Sequence, residues 1–299
     1  MGALDSAVRA IASMRVRGAG RIARCAAEAL GRHATTLHSN NVAAFRREMK
    51  AAAKKLIDAR PTAVSLSNAV GLVMRAMPRK GTVEGARKAI VCASREFCKA
   101  SDSAVEKVGE KGAGLVPTSG KVMTICNSSA VVSVLVHAGK AGKGFEAYAC
   151  ETRPKFQGRI TARELARNGV PTTIIVDSAS RYLFDGVKAV FVGADAVEWD
   201  GSVVNKIGTL QLAACARDFK VPFYVCAESY KFCPPSQAGA RRPIEERDPR
   251  EVASIPGVRV RNPVFDRTPP EMIARIITEH GAIRPRDTEI YVGKHLEGL

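Results

Sequence analysis

Thr124-Ile-Cys-Asn-Ser-Ser-Ala130 is the stretch on which the reading of this chain turns. An apolar run, Val122–Cys126, ends in a lone cysteine, and Ser128-Ser129 then offers hydroxyls suited to capping a helix. The segment behind them, Val131–Val136, favours strand by propensity alone. Its length and its place after two serines predict a helix instead. A thiol between strand and helix sees the positive end of the macrodipole and free backbone N–H groups. Both are expected to lower its pKa, and the same N–H groups attract phosphate.

The pattern repeats downstream. Phe145–Cys150, Thr172–Val176, Val187–Gly193 and Val221–Cys226 read as short buried strands. Thr161–Asn168 and Leu210–Phe219 read as helices between them. Such alternation predicts a parallel sheet covered on both faces, an α/β arrangement. Open sheets of this kind bind ligands at the carboxyl ends of their strands. Cys126, Glu151, Asp177, Asp195 and Glu228 all fall at or just past such ends. Burial behind Val190-Phe-Val192 is expected to raise the pKa of Asp195, which would suit it to acid/base work beside Cys126. No GxGxxG follows a strand, so no dinucleotide cofactor is expected.

Upstream the chain reads as helices. Leu4, Val8, Ile11 and Met14 recur at helical spacing, and Ala-rich segments follow at 22–30 and 42–57, then Val64–Met77 and Val83–Val108. Pro61, Pro78 and Gly109-Glu-Lys-Gly-Ala-Gly114 punctuate them. The last of these is taken as a boundary between a helical domain, 1–112, and a catalytic domain, 113–299.

The chain has 299 residues, 46% apolar and 25% charged, as expected of a soluble globular protein of two domains. No apolar run approaches the ~18 residues of a membrane span. Met1-Gly2 with Ser6 formally matches a myristoylation pattern, but one too short to carry weight. Eight scattered cysteines without CxxC pairs read for the most part as buried thiols, in a reducing cytoplasm. The five histidines lack ligand spacing, so no metal is expected. The net charge is +17, and the first sixty residues hold twelve Lys/Arg against four acids. That bias suits nucleic acid, an anionic surface or a phosphorylated substrate. Sparse aromatics, not interleaved with the basic residues, argue against a single-strand nucleic-acid platform.

Several stretches invite a ligand or a plainer explanation. Arg15-Val-Arg-Gly-Ala-Gly-Arg21 either cradles a phosphate or turns a helix corner. Arg153, in Glu151-Thr-Arg-Pro154, either grips an anion or braces its own loop. Asp177 reads foremost as a helix N-cap. Lys206, in Asn205-Lys-Ile-Gly-Thr209, either meets an oxyanion or is solvated before a capped helix. Lys231, in Ser229-Tyr-Lys231, has the same two readings.

Taken in order these stretches resemble one superfamily. Its members are methylthioribose-1-phosphate isomerases, archaeal ribose-1,5-bisphosphate isomerases and regulatory subunits of translation initiation factor two-B. The resemblance runs from Met14-Arg-Val-Arg-Gly-Ala-Gly-Arg-Ile-Ala23 through Arg60-Pro-Thr-Ala-Val64, Cys126-Asn-Ser-Ser-Ala130, Glu151-Thr-Arg-Pro154 and Val192-Gly-Ala-Asp195. It continues in Asn205-Lys-Ile-Gly-Thr209, Glu228-Ser-Tyr-Lys-Phe232 and Asn262-Pro-Val-Phe-Asp266. Arg17-Gly-Ala-Gly20 and Cys126-Asn-Ser-Ser129 are closer to the bisphosphate isomerases. Ile125 departs from the histidine usual there.

The resemblance implies a helical domain packed on a Rossmann-like parallel-sheet domain. It implies Cys126 and Asp195 as the catalytic pair. The implied substrate-binding residues are Arg17, Gly18, Ala19, Gly20, Arg60, Ser128, Ser129, Ala130, Asn205, Lys206 and Lys231, with Arg153 and Asp177 in support. A dimer-based homo-oligomer, up to a hexamer, and a nucleotide activator such as AMP are implied as well. The implied reaction takes α-D-ribose 1,5-bisphosphate to D-ribulose 1,5-bisphosphate, within AMP and nucleoside degradation. Phosphate on the anomeric oxygen blocks ordinary ring opening, so an acid must protonate the ring oxygen. Cys126 is expected as base and Asp195 as acid, with the roles exchangeable and a hydride shift as the competing route. Methylthioribose-1-phosphate isomerisation and a non-catalytic phosphate sensor are the alternatives.

Overall fold

The computed structural model describes residues 2–239 and 243–296. It begins with α1 (Ala3–Ala12), α2 (Ala19–Thr36), α3 (Val42–Asp58), α4 (Val64–Arg75) and α5 (Val83–Ala113). Asn41 and Thr82 cap α3 and α5, accepting from the N–H groups of Ala44 and Gly85 at 2.9 and 3.0 Å. Small residues let α2 run through the middle of this bundle. Ala23, Ala26, Ala27 and Ala34 are fully buried, and a Cβ on Gly31 would meet Ser94 Oγ at 2.7 Å. Ile22, Leu30, Phe45, Met49, Leu56, Leu66 and Ile90 fill the core around it. Met14, expected on the first helix, lies beyond it in left-handed backbone (φ 60°).

The Gly109–Gly114 stretch is not a break. Helix α5 continues through it to Ala113, because its glycines are contact points. A Cβ on Gly109 would lie 2.1 Å from Ser133 Oγ, and one on Gly112 would lie 2.5 Å from Val134 Cγ2. The helix is therefore pressed against the next one, α6 (Ser129–Lys140), and links the two halves of the chain.

After α5 come β1 (Ser119–Ile125), β2 (Gly144–Cys150), α7 (Gly158–Arg167), β3 (Thr172–Ile175) and β4 (Val187–Gly193). Then follow β5 (Ala196–Val197), β6 (Val203–Lys206), α8 (Thr209–Asp218), β7 (Phe223–Cys226), β8 (Phe265–Thr268), β9 (Arg275–Thr278), β10 (Gly281–Ile283) and α9 (Thr288–His295). Seven strands form one sheet in the order β10-β9-β7-β4-β1-β2-β3, parallel except for β10. Strands alternate between two buried faces. Val122, Ala189 and Phe191 face the layer of α5, α6 and α7, while Met123, Val190 and Val192 face α8 and α9. The valine-rich segment after Cys126 is indeed helical. As α6 it buries Val131, Val134, Leu135 and Val136.

The strand order reverses between β1 and β4, its topological switch point. The chain leaves β1 for β2 and β3, then returns to the opposite side of β1. A crevice opens there at the carboxyl ends of the strands. Cys126 ends β1 and Asp195 follows β4, so both belong to its rim. A small antiparallel sheet, β5-β6-β8, closes one side. Sequence reading set Asn205 and Lys206 just before a capped helix and gave them no strand. They lie on β6, paired with Asp266 and Phe265 some sixty residues away.

Candidate active site

The crevice is a cleft of about 400 Å³ between the bundle and the sheet. It gathers most of the residues marked in the sequence: Arg17, Gly18, Ala19, Gly20, Arg60, Cys126, Ser128, Ser129, Asp195, Asn205, Lys206 and Lys231. Two helix N-termini open onto it, that of α2 at Gly18–Gly20 and that of α6 at Ser128-Ser129. Unpaired N–H groups at such ends attract anions. Among its described lining residues nine are cationic, against two acids, Glu164 and Asp195. A second groove of about 500 Å³ lies between α3 and α4. It holds none of the residues singled out by the sequence.

Close approaches make the cleft. A Cβ on Gly193 would lie 2.7 Å from Cβ and Oγ of Ser128, so only glycine lets β4 pass the start of α6. A Cβ on Gly20 would lie 2.9 Å from the Tyr230 hydroxyl, which fixes α2 against the segment after β7. Gly208 (φ 98°) turns the chain from β6 into α8 directly over Ile125 Cδ1. The side chain before the cysteine is thus a buried packing element of the α8 layer.

Cys126 is not at the helix start. Ser128 is the N-cap of α6, and Cys126 occupies the turn before it with φ 70°. Burial pushes its thiol pKa up to about 11, and the nearby Lys206 charge only partly opposes this. The expected depression is therefore reversed, since loss of hydration outweighs the helix end and the cation. Asp195, expected to be buried, is half-buried on the rim. Its N–H donates to Val204 O at 2.9 Å, which ties it to β6.

Lys206 and Lys231 are not solvated lysines. Lys206 is 7% exposed, lies 5.0 Å from the centre of the Phe265 ring and has no acidic partner among the described residues. Burial lowers its pKa, while Cys126 and Asp195 pull the other way. Lys231 is paired with Glu228 at 2.5 Å. Burial alone would raise the Glu228 pKa. Lys231 and the Tyr230 hydroxyl, which donates to it at 2.9 Å, hold it below the usual range.

Arg60 is committed to a carboxylate. Its guanidinium lies 3.1 Å from Glu245, and Arg247 holds the other oxygen of that group at 2.9 Å. Arg247 joins the cleft from the long segment before β8 and was not marked in the sequence, because nothing local distinguishes it. Lys155, Gln157 and Arg24 were also missed. Gln157 carries a buried Oε1 without a hydrogen-bond partner, the kind of atom a ligand satisfies. Asp266 was quoted only as part of a motif. It accepts the Gly208 N–H at 2.7 Å and pins the start of α8, and burial raises its pKa to about 6.

Three marked residues stand outside the cleft wall. Arg153 turns away, donating to Val252 O at 3.3 Å and lying over Phe156. The bracing explanation of that loop fits it better than anion binding. Ala130 is buried in the first turn of α6. Asp177 accepts the backbone N–H groups of Thr152 and Arg153 at 2.8 and 2.7 Å, so it does more than begin a helical turn. All eight cysteines are free thiols. Among the described residues no helix is long and apolar enough to cross a membrane, and no three His, Cys, Asp or Glu side chains are grouped to hold a metal.

Residues 15–285 match the initiation factor 2 subunit family. A ribose 1,5-bisphosphate isomerase of Archaeoglobus fulgidus is 45% identical over 97% of this chain and 92% of its own length. The translation initiation factor eIF-2B of Pyrococcus horikoshii superposes with a TM-score of 0.82 at 30% identity, covering 94% of this chain and 97% of that one. The 5-methylthioribose 1-phosphate isomerase of the same organism superposes at 0.81 with 29% identity, covering 97% and 87%.

Proposed function

This chain belongs to the initiation factor 2 subunit family, and from that premise we propose that it is an aldose–ketose isomerase converting α-D-ribose 1,5-bisphosphate to D-ribulose 1,5-bisphosphate. The observation that carries the proposal is the charge of the cleft around its thiol and carboxylate. Five of its nine cations are paired with acids outside the lining, which leaves Arg15, Arg17, Arg21 and Lys206, with two helix N-termini, to meet a ligand bearing two phosphates, about −3 to −4 in all. A monophosphate with an apolar methylthio group would leave one cationic wall unmatched. A phosphate sensor would have no use for the thiol and the carboxylate.

The resting thiol is protonated at neutral pH, which favours exchanging the roles expected from sequence. Cys126 gives its proton to the ring oxygen as the bond from C1 to that oxygen breaks. Lys206 steadies the thiolate that remains. The Asp195 carboxylate takes the proton from C2, leaving an enol phosphate. Asp195 then returns that proton to C1 while the thiolate takes the C2 hydroxyl proton. The ketone is complete and both groups are reset. The bundle side of the cleft excludes water from the enol.

Lys206, Asn205 and the α6 N-terminus form one phosphate locus in this reading, and Arg17 with Gly18–Gly20 forms the other. Arg60 and Arg247 frame the second through Glu245. The helical half, 1–112, acts as cover and the sheet half, 113–299, as catalytic platform. A dimer-based homo-oligomer is supported by exposed Ile174, Val176 and Tyr182 around edge strand β3, a surface of the kind an interface covers. Sedimentation tests the assembly, and adding AMP to the turnover assay tests activation.

The deciding experiment follows conversion of α-ribose 1,5-bisphosphate by phosphorus NMR with the wild type and Cys126→Ser. Turnover by the wild type alone supports the proposal. Turnover by both removes the thiol from the chemistry. Tight phosphate binding without turnover moves the reading to a sensor.

A further inference from the structure

We propose that Thr152 is a positioning residue for the isomerisation, fixing Cys126 in its left-handed backbone conformation, with Asp177 as its anchor. The proposal rests on the isomerase reading of the cleft. Cys126 has φ 70°, a region that non-glycine residues rarely occupy without outside support. The chain turns out of β1 at this residue, so the direction of the thiol is set by the turn rather than by the alternation of the strand.

That turn is gripped from both sides. The Cys126 N–H donates to Thr152 Oγ1 at 2.9 Å. The Cys126 carbonyl accepts from Thr161 Oγ1 at 2.8 Å. The Thr152 hydroxyl spends its own proton on Cys150 O, also at 2.9 Å, so it meets Cys126 as an acceptor only. Both threonine side chains are buried, and neither lines the cleft. Thr152 therefore reaches the cleft through the cysteine, whereas Thr161 also accepts from Asn127 Nδ2 at 3.0 Å, a residue of the cleft wall.

Thr152 is itself left-handed, with φ 66°, and it too needs holding. Asp177 supplies this with both carboxylate oxygens, one on the Thr152 N–H at 2.8 Å and one on the Arg153 N–H at 2.7 Å. The ends of three adjacent strands are joined in one path. Asp177 after β3 holds the loop after β2, and that loop holds the thiol turn after β1. A Cβ on Gly158 would lie 1.7 Å from Cys150 O, so the loop has no room to shift toward the sheet.

The test uses the full-length protein with Thr152→Val, Thr152→Ser and Asp177→Asn. Two readouts are taken, steady-state kinetics on α-ribose 1,5-bisphosphate and alkylation of Cys126 by iodoacetamide across pH, resolved by peptide mass spectrometry. Valine keeps the shape and removes the acceptor, whereas serine keeps the acceptor. Asparagine at 177 can accept only one of the two N–H groups. Thr152→Val and Asp177→Asn are expected to lower kcat by about 10–100-fold with KM changed by no more than about twofold. Their alkylation curves should depart from wild type. Thr152→Ser should keep kcat within about threefold and keep the wild-type alkylation curve. Wild-type kcat and alkylation in Thr152→Val would overturn the proposal. So would equal losses in the valine and serine variants, which would mark a packing role. A wild type that fails to turn over the bisphosphate would sink the isomerase reading, while the alkylation curves would still decide whether Thr152 governs the thiol.

Discussion

The Lys231 ammonium stands 2.5 Å from the Glu228 carboxylate, and the two side chains are 6% and 1% exposed. Tyr230 donates to the same carboxylate and accepts from Ser101 of α5, so the pair joins the cleft floor to the helical bundle. Removing one partner leaves the other charged and buried. Glu228→Gln and Lys231→Met should each cost about 3–5 kcal/mol in urea unfolding. The Glu228 pKa is held below its unfolded value, so its contribution is full above about pH 4.5 and is lost as pH falls through the folded value. A Glu228→Gln curve that keeps the wild-type acid slope would remove this pair as its source.

Lys206 is the opposite case, a buried cation near Asp195 and Cys126 that makes no ion pair among the described residues. Burial disfavours its charged form, and an anion in the cleft would supply the pairing it lacks. Lys206→Met should raise KM by about 10–100-fold, the equivalent of one charge-assisted hydrogen bond. The same change should leave the melting temperature unchanged or higher. A loss of stability without a change in KM would mean that the lysine is a structural brace.

The thiol pKa tests the roles assigned to the catalytic pair. Burial raises Cys126 to about 11, and Lys206 pulls it down from a still higher value. The thiol is therefore protonated across the neutral range and becomes thiolate only as pH rises through about 11. Its alkylation rate should climb toward that pH in the wild type, and Lys206→Met should move the rise further upward. Cys126→Ser and Asp195→Asn should each lower kcat by about 10²–10⁴-fold. A midpoint near or below the ordinary thiol value would restore Cys126 as the resting base.

Local signals carried the centre of the fold. The strand, cysteine, serine cap and helix of residues 122–140 are written in consecutive residues, and β4 with its trailing acid is nearly as plain. Other features depend on distant partners. β6 is a strand because Val203–Lys206 meets Phe265–Thr268, and Arg247 reaches the cleft from a segment with no periodicity. The glycines at 109 and 112 read as a break because the residues they touch, Ser133 and Val134, come more than twenty residues later. The Cys126 pKa was misjudged for a related reason. Sequence shows the nearby helix end, but the desolvation that outweighs it comes from the assembled cleft.

Gly193 offers the sharpest test of the cleft geometry. A methyl group there would meet Ser128 Cβ and Oγ at 2.7 Å, and Ser128 both lines the cleft and caps α6. Gly193→Ala must push Ser128 aside, losing a cap worth about 0.5–2 kcal/mol and disturbing one phosphate locus. A drop in kcat/KM of about 10–100-fold is expected beside that modest loss of stability. Ser128→Gly removes the obstructing side chain, and glycine is a tolerable N-cap, costing only a few tenths of a kcal/mol. Combining the two should recover part of the activity lost in Gly193→Ala, a coupling readable in a double-mutant cycle. Strictly additive losses would mean that the two residues do not obstruct each other, and that activity falls for a reason other than their contact.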